Sequence, residues 1–423
     1  MDLPKSAIIG SGISGLVTAY FLSDKFKVKL YEKNDYLGGH SNTVEVNYLG
    51  KKIAVDTGFI VFNHQTYPNL KAFFELLDVS YEKSNMSFSV KIDNGKLEYA
   101  GTNIATLFAQ LKNIFNWPFL RMLRDILHFN KEAEKILQKD FDPNYSLQNL
   151  LDDLRLQDYF RQFYLLPMSG AIWSCPLEIM LSYPAQSFVR FFKNHGLLSV
   201  ADQPQWYTVS GGSREYVKKI ANKIGSQSIS LNDEVLSVER KLDKILVKSR
   251  QGEEVFDQVI FACHGDQILK ILGTPTELEK AVLKNFKYQE NLAVLHRDTS
   301  VMPKRKRAWA SWVYSKNGES KTDSIAVTYW MNNLQNIDKS YPLFVTLNPN
   351  SKIADDKIFA RFNYEHPIFD EKAVAAQNEI DKIQGRDGIY FCGAYQKYGF
   401  HEDGISSALA VLNKMEIYAP WQK

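Results

Sequence analysis

The strongest constraint on this chain lies between residues 6 and 40. Ser6, Ala7, Ile8 and Ile9 make an apolar run long enough for a buried strand and too short for a helix. The turn GSGISG follows, with Gly10, Gly12 and Gly15 in GxGxxG spacing, and a helical pattern runs on through Leu16, Ala19, Tyr20 and Leu22. A second strand, Lys27 to Tyr31, ends on Glu32. Strand, glycine turn, helix and strand in this order predict a βαβ unit, and so an α/β fold.

Each part has a physical job in a dinucleotide site. Gly10 permits the tight turn, a side chain at Gly12 would hold the backbone away from a pyrophosphate, and Gly15 lets helix and strand pack closely. The pyrophosphate sits on the helix N-terminus, where free N–H groups and the dipole favour an anion. Glu32 stands about twenty residues beyond the turn, where an acid accepts hydrogen bonds from ribose hydroxyls.

The pair Gly38-Gly39 is either a plain surface turn or a further part of this site. The stretch GSGISGLVTAYFLSDKFKVKLYEKNDYLGGHSNT resembles the opening of the amine oxidase and phytoene desaturase flavoproteins. In that superfamily GxGxxGL…E…GG(R/H)…T wraps the ADP half of FAD, and His40 stands where many members carry Arg. The resemblance implies FAD contacts at Ser14, Lys33, Gly39 and His40, beside those of Gly10, Gly12, Gly15 and Glu32.

Composition narrows the class. A net charge of +3 with pI near 8.4 is too weak to argue for nucleic acid. Cys175, Cys263 and Cys392 are widely spaced without a CxxC, so neither a disulfide framework nor a zinc site is expected, and no metal is assigned. No secretory signal is legible at the start, and no apolar run reaches the ~18 residues of a spanning helix. The expectation is a cytoplasmic protein.

After Gly39, Thr43–Val46 and Lys52–Val55 read as a hairpin around Leu49-Gly50. Within VDTGFIVFN, Asp56 and Gly58 resemble the superfamily's D-x-G, whose backbone runs beside the flavin; alternatively Asp56 caps the hairpin. Thr66–Leu77 reads as an amphipathic helix. Residues 87–99 suggest two strands joined at Asp93-Asn94-Gly95. Asn103–Gln138 reads as a long helical region interrupted at Trp117-Pro118. It is either a cap over the substrate site or a basic, aromatic surface that touches lipid. Leu165–Pro176 suits a pocket-lining segment or plain helix packing, and Tyr183–Phe192 reads as a helix.

Gly211-Gly212 opens a helix, and strands are expected at Glu234–Arg240, Lys244–Lys248 and Val255–Ala262. That order resembles the superfamily's second FAD-binding segment, which places Val235 near the adenine. Cys263-His264 is a weak nucleophilic dyad, since adjacent strand residues point to opposite faces. Residues 288–348 read as an antiparallel sheet rich in Trp and Tyr, and Lys304–Arg307 as a solvated turn.

The closing stretch GIYFCGAYQKYGFHEDGISSALAVLNKM resembles the flavin motif at the superfamily's C-terminal end. There a strand, a turn at Gly393 and a helix expected from Gly404 to Met415 meet the ring. The resemblance implies contacts at Gly393, Asp403, Gly404 and Ile405. His401 replaces a Tyr of the amine oxidases' aromatic cage, which argues against amine oxidation. It is either an acid–base residue beside the flavin or a structural hydrogen-bonding group.

The fold class expected is α/β: a discontinuous Rossmann-type FAD-binding domain (1–70, 206–285 and 366–423) plus an α+β substrate domain (71–205 and 286–365) with an antiparallel sheet and helical cap. The details VDTGFIVFN, AWASWVY, VTYWMN and GYGFHEDG are similar to bacterial FAD-binding, amine-oxidase-like proteins associated with cyclopropane-fatty-acid synthases. That resemblance implies a lipid or other small-molecule substrate, a functional link to such a synthase, and peripheral contact at the inner membrane face. The reaction expected is hydride transfer from substrate to flavin N5. The rivals are an isomerase or mutase with no net redox change, a small-amine oxidase, a non-enzymatic lipid carrier on the same fold, and an NAD-dependent dehydrogenase, against which the glycine pair and the closing motif speak.

Overall fold

The first strand, Lys5–Ile9, lies at the centre of a five-stranded parallel sheet. The computed structural model describes residues 3–140, 142, 144–173, 180–199, 203–318 and 325–422. Lys27–Tyr31 and Ile229–Ser230 extend the sheet on one side, Gln258–Phe261 and Ile389–Phe391 on the other. The order reverses at the first strand, so the Gly10 turn leaves the sheet at its topological switch point, where open α/β sheets bind ligands.

Side-chain alternation decides the layers. Ile8 joins one apolar cluster with Leu30 and Ile260, while Ala7 and Ile9 join another with Val259 and Phe261. The first face is covered by the helices Ile13–Leu22, Arg214–Ile224 and His401–Lys414. The second is covered by a three-stranded antiparallel sheet and by the helices Gly265–Ile271 and Glu277–Leu283.

A second, seven-stranded sheet runs in the order Ile358–Ile368, Lys287–His296, Phe344–Leu347, Ala326–Trp330, Trp312–Lys316, Phe88–Ile92, Leu97–Ala100. It is antiparallel except where Trp312–Lys316 pairs with Phe88–Ile92 in parallel. Helices pack over its far end. Phe119, Met122 and Phe129 of the Trp117–Ala133 helix share a cluster with Phe188, Phe191 and Phe192 of the Ala185–Asn194 helix.

Several elements depart from expectation. The segment 103–138 is not one helix broken at Trp117-Pro118. It is a short turn at Ile104–Leu107, a 3-10 stretch at Leu111–Phe115, and a helix that starts at Trp117 with Pro118 in its first turn, where a missing N–H costs nothing. Val255–Ala262 divides at Asp257 into strands of two different sheets. The expected Tyr183–Phe192 helix is observed at Ala185–Asn194. Lys304–Arg307 is exposed but anchored: the buried carboxylate of Glu98 accepts from Lys304 N, Arg305 N and Arg305 Nη1. The closing helix begins at His401, not Gly404. Asp403 causes the shift, because its Oδ2 accepts from Tyr398 N and Phe400 N and caps the helix one turn earlier. The helix Leu166–Trp173 covers the start of the segment read as pocket-lining, and residues 174–179 lie outside the described residues.

Candidate flavin site

Gly10 adopts φ +102°, and a Cβ there would meet Ala262 O at 2.9 Å. At Gly15 a Cβ would lie 1.9 Å from Gly10 O, so the helix can approach the strand only with glycine at that position. Gly12 differs from both. It has ordinary backbone angles, it ends the helix without a side-chain cap, and a Cβ on it would meet no atom within 4 Å. An uncapped helix N-terminus thus faces open space.

The closing helix meets this helix. Ser14 Oγ donates to Gly404 O at 2.9 Å, and a Cβ at Gly404 would collide with Ile13 at 2.7 Å. Two helices therefore bring their first turns together, and with them two positive dipole ends. Gly404 N already donates to Phe400 O, so the free N–H groups of the closing helix belong to His401–Asp403. Ile405 is fully buried in the core. Gly393 N donates to Ser407 Oγ, which fixes the preceding turn to this helix.

Glu32 is buried, and the protein itself already supplies its carboxylate with donors. Ser11 N and Oγ donate to Oε2, and Asn34 N and Nδ2 donate to Oε1. A ribose hydroxyl reaches it only by displacing a side-chain donor, Ser11 Oγ or Asn34 Nδ2. Asp233 N donates to Glu32 O, which brings the strand starting at Val235 alongside. Lys33 is exposed.

Gly38 N donates to Ser11 O, and a Cβ on Gly39 would sit 3.3 Å from Gly12 Cα, so the glycine pair packs against the turn. His40 O accepts from Phe59 N at 2.7 Å, and Gly58 packs on the same carbonyl. The Asp56 carboxylate is fully engaged elsewhere. It accepts from Thr43 Oγ1, Ser213 N and Oγ, and Gln335 Nε2, tying the hairpin to the entry of the Arg214–Ile224 helix. Burial pushes its pKa up to about 6 against those bonds. The capping alternative describes its side chain.

Beside the glycine turn four imidazoles gather. The His401 ring stacks on Phe59 at 3.9 Å, and its Nε2 lies 2.9 Å from Ser41 Oγ, which also bonds Tyr216 Oη. His40 stacks on Tyr364 at 4.9 Å and lies 5.1 Å from His366, and its Nε2 is buried without a partner. His366 Nδ1 accepts from Asn291 Nδ2. His264 Nδ1 contacts Glu365 at 3.1 Å and its ring stacks on Tyr288. Burial lowers the pKa of His401 to about 3 and of His366 to about 4. It holds His40 well below the usual imidazole range, with the neighbouring imidazoles adding to the effect. These three rings are neutral at physiological pH.

Sequence reading named His40 and His401 but missed Ser11, Ser41, Phe59, Tyr364, His366 and the His264–Glu365 pair. Of these, Ser11, inside the glycine turn, and His264, after Cys263, stood beside a sequence motif. Cys263 forms no dyad with His264: burial pushes its thiol up to about 12 and the imidazole turns to Glu365. Among the described residues no cluster of three or more His, Cys, Asp or Glu can hold a metal. No helix among them is long and apolar enough to cross a membrane.

The residues present fit FAD. An uncapped N-terminus over open space suits a pyrophosphate, a buried acid stands at the next strand end, and a second helix N-terminus faces the first. Comparison with known proteins agrees. Solved structures that superpose on the chain include a CLA-producing fatty acid isomerase from P. acnes (TM-score 0.68, 12% identity, 97% of this chain and 98% of that one). Cyclohexylamine oxidase from Brevibacterium oxydans also superposes (TM-score 0.65, 12% identity, 98% and 99%). At such identities the likeness is one of fold. A 1-hydroxycarotenoid 3,4-desaturase from a Flavobacterium species is 29% identical over 119 residues, 27% of this chain and only 23% of that protein. The model of the flavin containing amine oxidoreductases matches residues 13–297, well over half of the chain, so the chain belongs to that family and FAD is its cofactor.

Proposed function

We propose that the protein is an FAD-dependent oxidoreductase of an apolar, uncharged substrate, with the acyl chain of a lipid as the favoured class. One observation carries this reading: the four carboxylates described around His401 are each already bonded within the protein. Glu402 accepts from Asn69 and Leu70, Asp403 from Tyr398 and Phe400, Asp56 from Thr43, Ser213 and Gln335, and Glu365 contacts His264. An ammonium group at these four carboxylates would have to displace donors already seated, and a buried unpaired charge is costly. The surroundings favour hydrocarbon instead. Phe400, next to His401, packs on Phe191 at 5.2 Å and joins the aromatic cluster beneath the helical layer.

Bound FAD supplies a two-electron acceptor at N5. In this reading the Gly12 and Ser14 turn with Glu32 and the Val235 strand holds the nucleotide half. Lys33 flanks it, Gly39 lets the backbone approach, and His40 with the Asp56–Gly58 backbone lies towards the flavin ring. The turn at Gly393 and the helix start carrying Asp403, Gly404 and Ile405 form the end that faces the ring. His401 is held neutral by burial and oriented by Ser41, so it positions substrate by stacking and hydrogen bonding. The FAD-binding part comprises 1–70, 206–285 and 366–423, and the substrate part 71–205 and 286–365. A functional link to a cyclopropane-fatty-acid synthase accords with an acyl substrate.

The test is anaerobic. Oxidised protein is mixed with phospholipids carrying unsaturated or cyclopropane chains, and separately with primary amines and polyamines, while flavin absorbance is followed. Bleaching by lipid is expected. Bleaching by amines alone overturns the reading, and lipid conversion that leaves the flavin oxidised without an acceptor assigns an isomerase.

A further inference from the structure

Six large apolar side chains stand exposed within one short stretch: Ile104, Leu111, Ile114, Phe115, Trp117 and Leu127. Phe115 and Trp117 are 84% and 80% exposed, although the inner face of the same layer is tightly buried through Phe119, Met122 and Phe129. The outward stripe of the Trp117–Ala133 helix runs Trp117, Arg121, Arg124, His128, Lys131, at spacings of three and four. It carries no acid. The one acid between residues 101 and 131, Asp125, is buried and accepts from Gln157 N. Lys112, Arg121, Arg124 and Lys131 against Asp125 give that stretch a net charge of +3, as much as the whole chain carries.

More positive charge adjoins it. The 3-10 turn Lys306–Ala308 packs beside Ile104–Leu107, and Lys306 and Arg307 are exposed. Among the described residues neither they nor Arg121 and Lys131 form an ion pair, although the surface elsewhere pairs lysine and arginine widely. The anchoring of this turn by buried Glu98 presents those cations in a fixed place.

We infer that this face docks on an anionic lipid bilayer, with Phe115 and Trp117 entering the interface and the cationic stripe lying against the headgroups. Apolar and aromatic side chains beside unpaired Lys and Arg, on a helix that does not span, make an interfacial contact. Long cationic side chains keep their heads at the headgroup level while their stems cover apolar surface. A second copy of the chain suits this face poorly, because a two-fold contact would set one basic stripe against the other. The inference goes beyond the proposed function and does not need the lipid to be the substrate.

The test uses the flavin-loaded full chain and vesicles of saturated, ether-linked phosphatidylcholine, with and without phosphatidylglycerol, in a co-sedimentation assay. Saturated chains separate docking from turnover, so binding without bleaching supports docking whatever the substrate. The protein should bind the anionic vesicles and leave them at ~1 M salt, where the screening length falls to ~3 Å. Phe115→Ala/Trp117→Ala and Arg121→Glu/Lys131→Glu should each weaken partition about tenfold or more, with melting temperature and flavin content unchanged because these side chains are exposed. Wild-type protein that stays in the supernatant overturns the inference, as do variants that bind equally well. So does a dimer in sedimentation velocity that either variant dissociates, since that assigns the face to a second copy.

Discussion

The two ends of the candidate flavin site are built from different material. The glycine end is backbone: Gly10, Gly12, Gly15, Gly38 and Gly39 within thirty positions, shaped by what a missing Cβ allows. The histidine end is side chains from distant segments: His40, Phe59, His264, Tyr364, His366 and His401, brought together only by the tertiary fold. One end tolerates almost no change of shape; the other is sensitive to charge. Local steric rules therefore govern one half of the site, and burial governs the other.

The largest expected effect separates two glycines of the same turn. Gly15→Val places atoms against Gly10 O and should cost roughly 3 kcal/mol of stability in urea unfolding. Gly12→Val points into open space and should keep its unfolding midpoint while losing bound flavin. Stoichiometric flavin in purified Gly12→Val would remove the pyrophosphate from this turn.

The histidine end should make the flavin-free protein acid-sensitive. His40, His366 and His401 are neutral when folded, whereas an unfolded imidazole protonates below about pH 6.5. The unfolded chain thus binds more protons, and stability falls as pH drops from 6.5 towards 4, by ~1.4 kcal/mol per pH unit for each such ring. Asp56 and Asp403, raised to about 6, oppose this between pH 6 and 4 because they are protonated first in the folded state. Urea midpoints from pH 7 to 5 should show a net decline. His366→Asn, which keeps an acceptor for Asn291, should shallow it, while Gly12→Val at the glycine end should not. Equal slopes in both would break the contrast between the ends.

Glu32→Ala should weaken FAD binding about tenfold or more, since charge-assisted hydrogen bonds are worth ~1.5–3 kcal/mol. Titration of flavin-free protein measures it, and unchanged affinity takes Glu32 out of the site.

The smallest effect concerns His401. His401→Phe keeps an aromatic stack on Phe59 and loses the Ser41 hydrogen bond, about 1 kcal/mol. Flavin content should be unchanged and reduction by substrate slower. An acid–base histidine of ordinary pKa would give a rate that changes near pH 6.5 and flattens in the variant. A ring at about 3 gives the same pH profile from 6 to 8 in both proteins. A profile that changes with the substitution restores the acid–base role.

The sequence by itself determined the parallel α/β unit, the tight turn at Gly10, the close packing at Gly15, the uncapped helix start at Gly12, and the packing of the glycine pair on that turn. In each case the rule acts within a few residues: a positive φ, a close approach, an uncapped helix end. Tertiary structure decided the rest. Asp403 moved the start of the closing helix to His401 by capping Phe400, a bond no helical pattern reveals. Asp56 proved to be a clasp between a hairpin and a helix entry because Ser213 and Gln335 arrive from far along the chain. His401 became a neutral ring because Phe59 covers it, and its pKa depends on the low-dielectric neighbours that the fold supplies. Spacing in a chain encodes backbone geometry, which is local. Burial, and with it the charge state of a side chain, belongs to whatever packs against it.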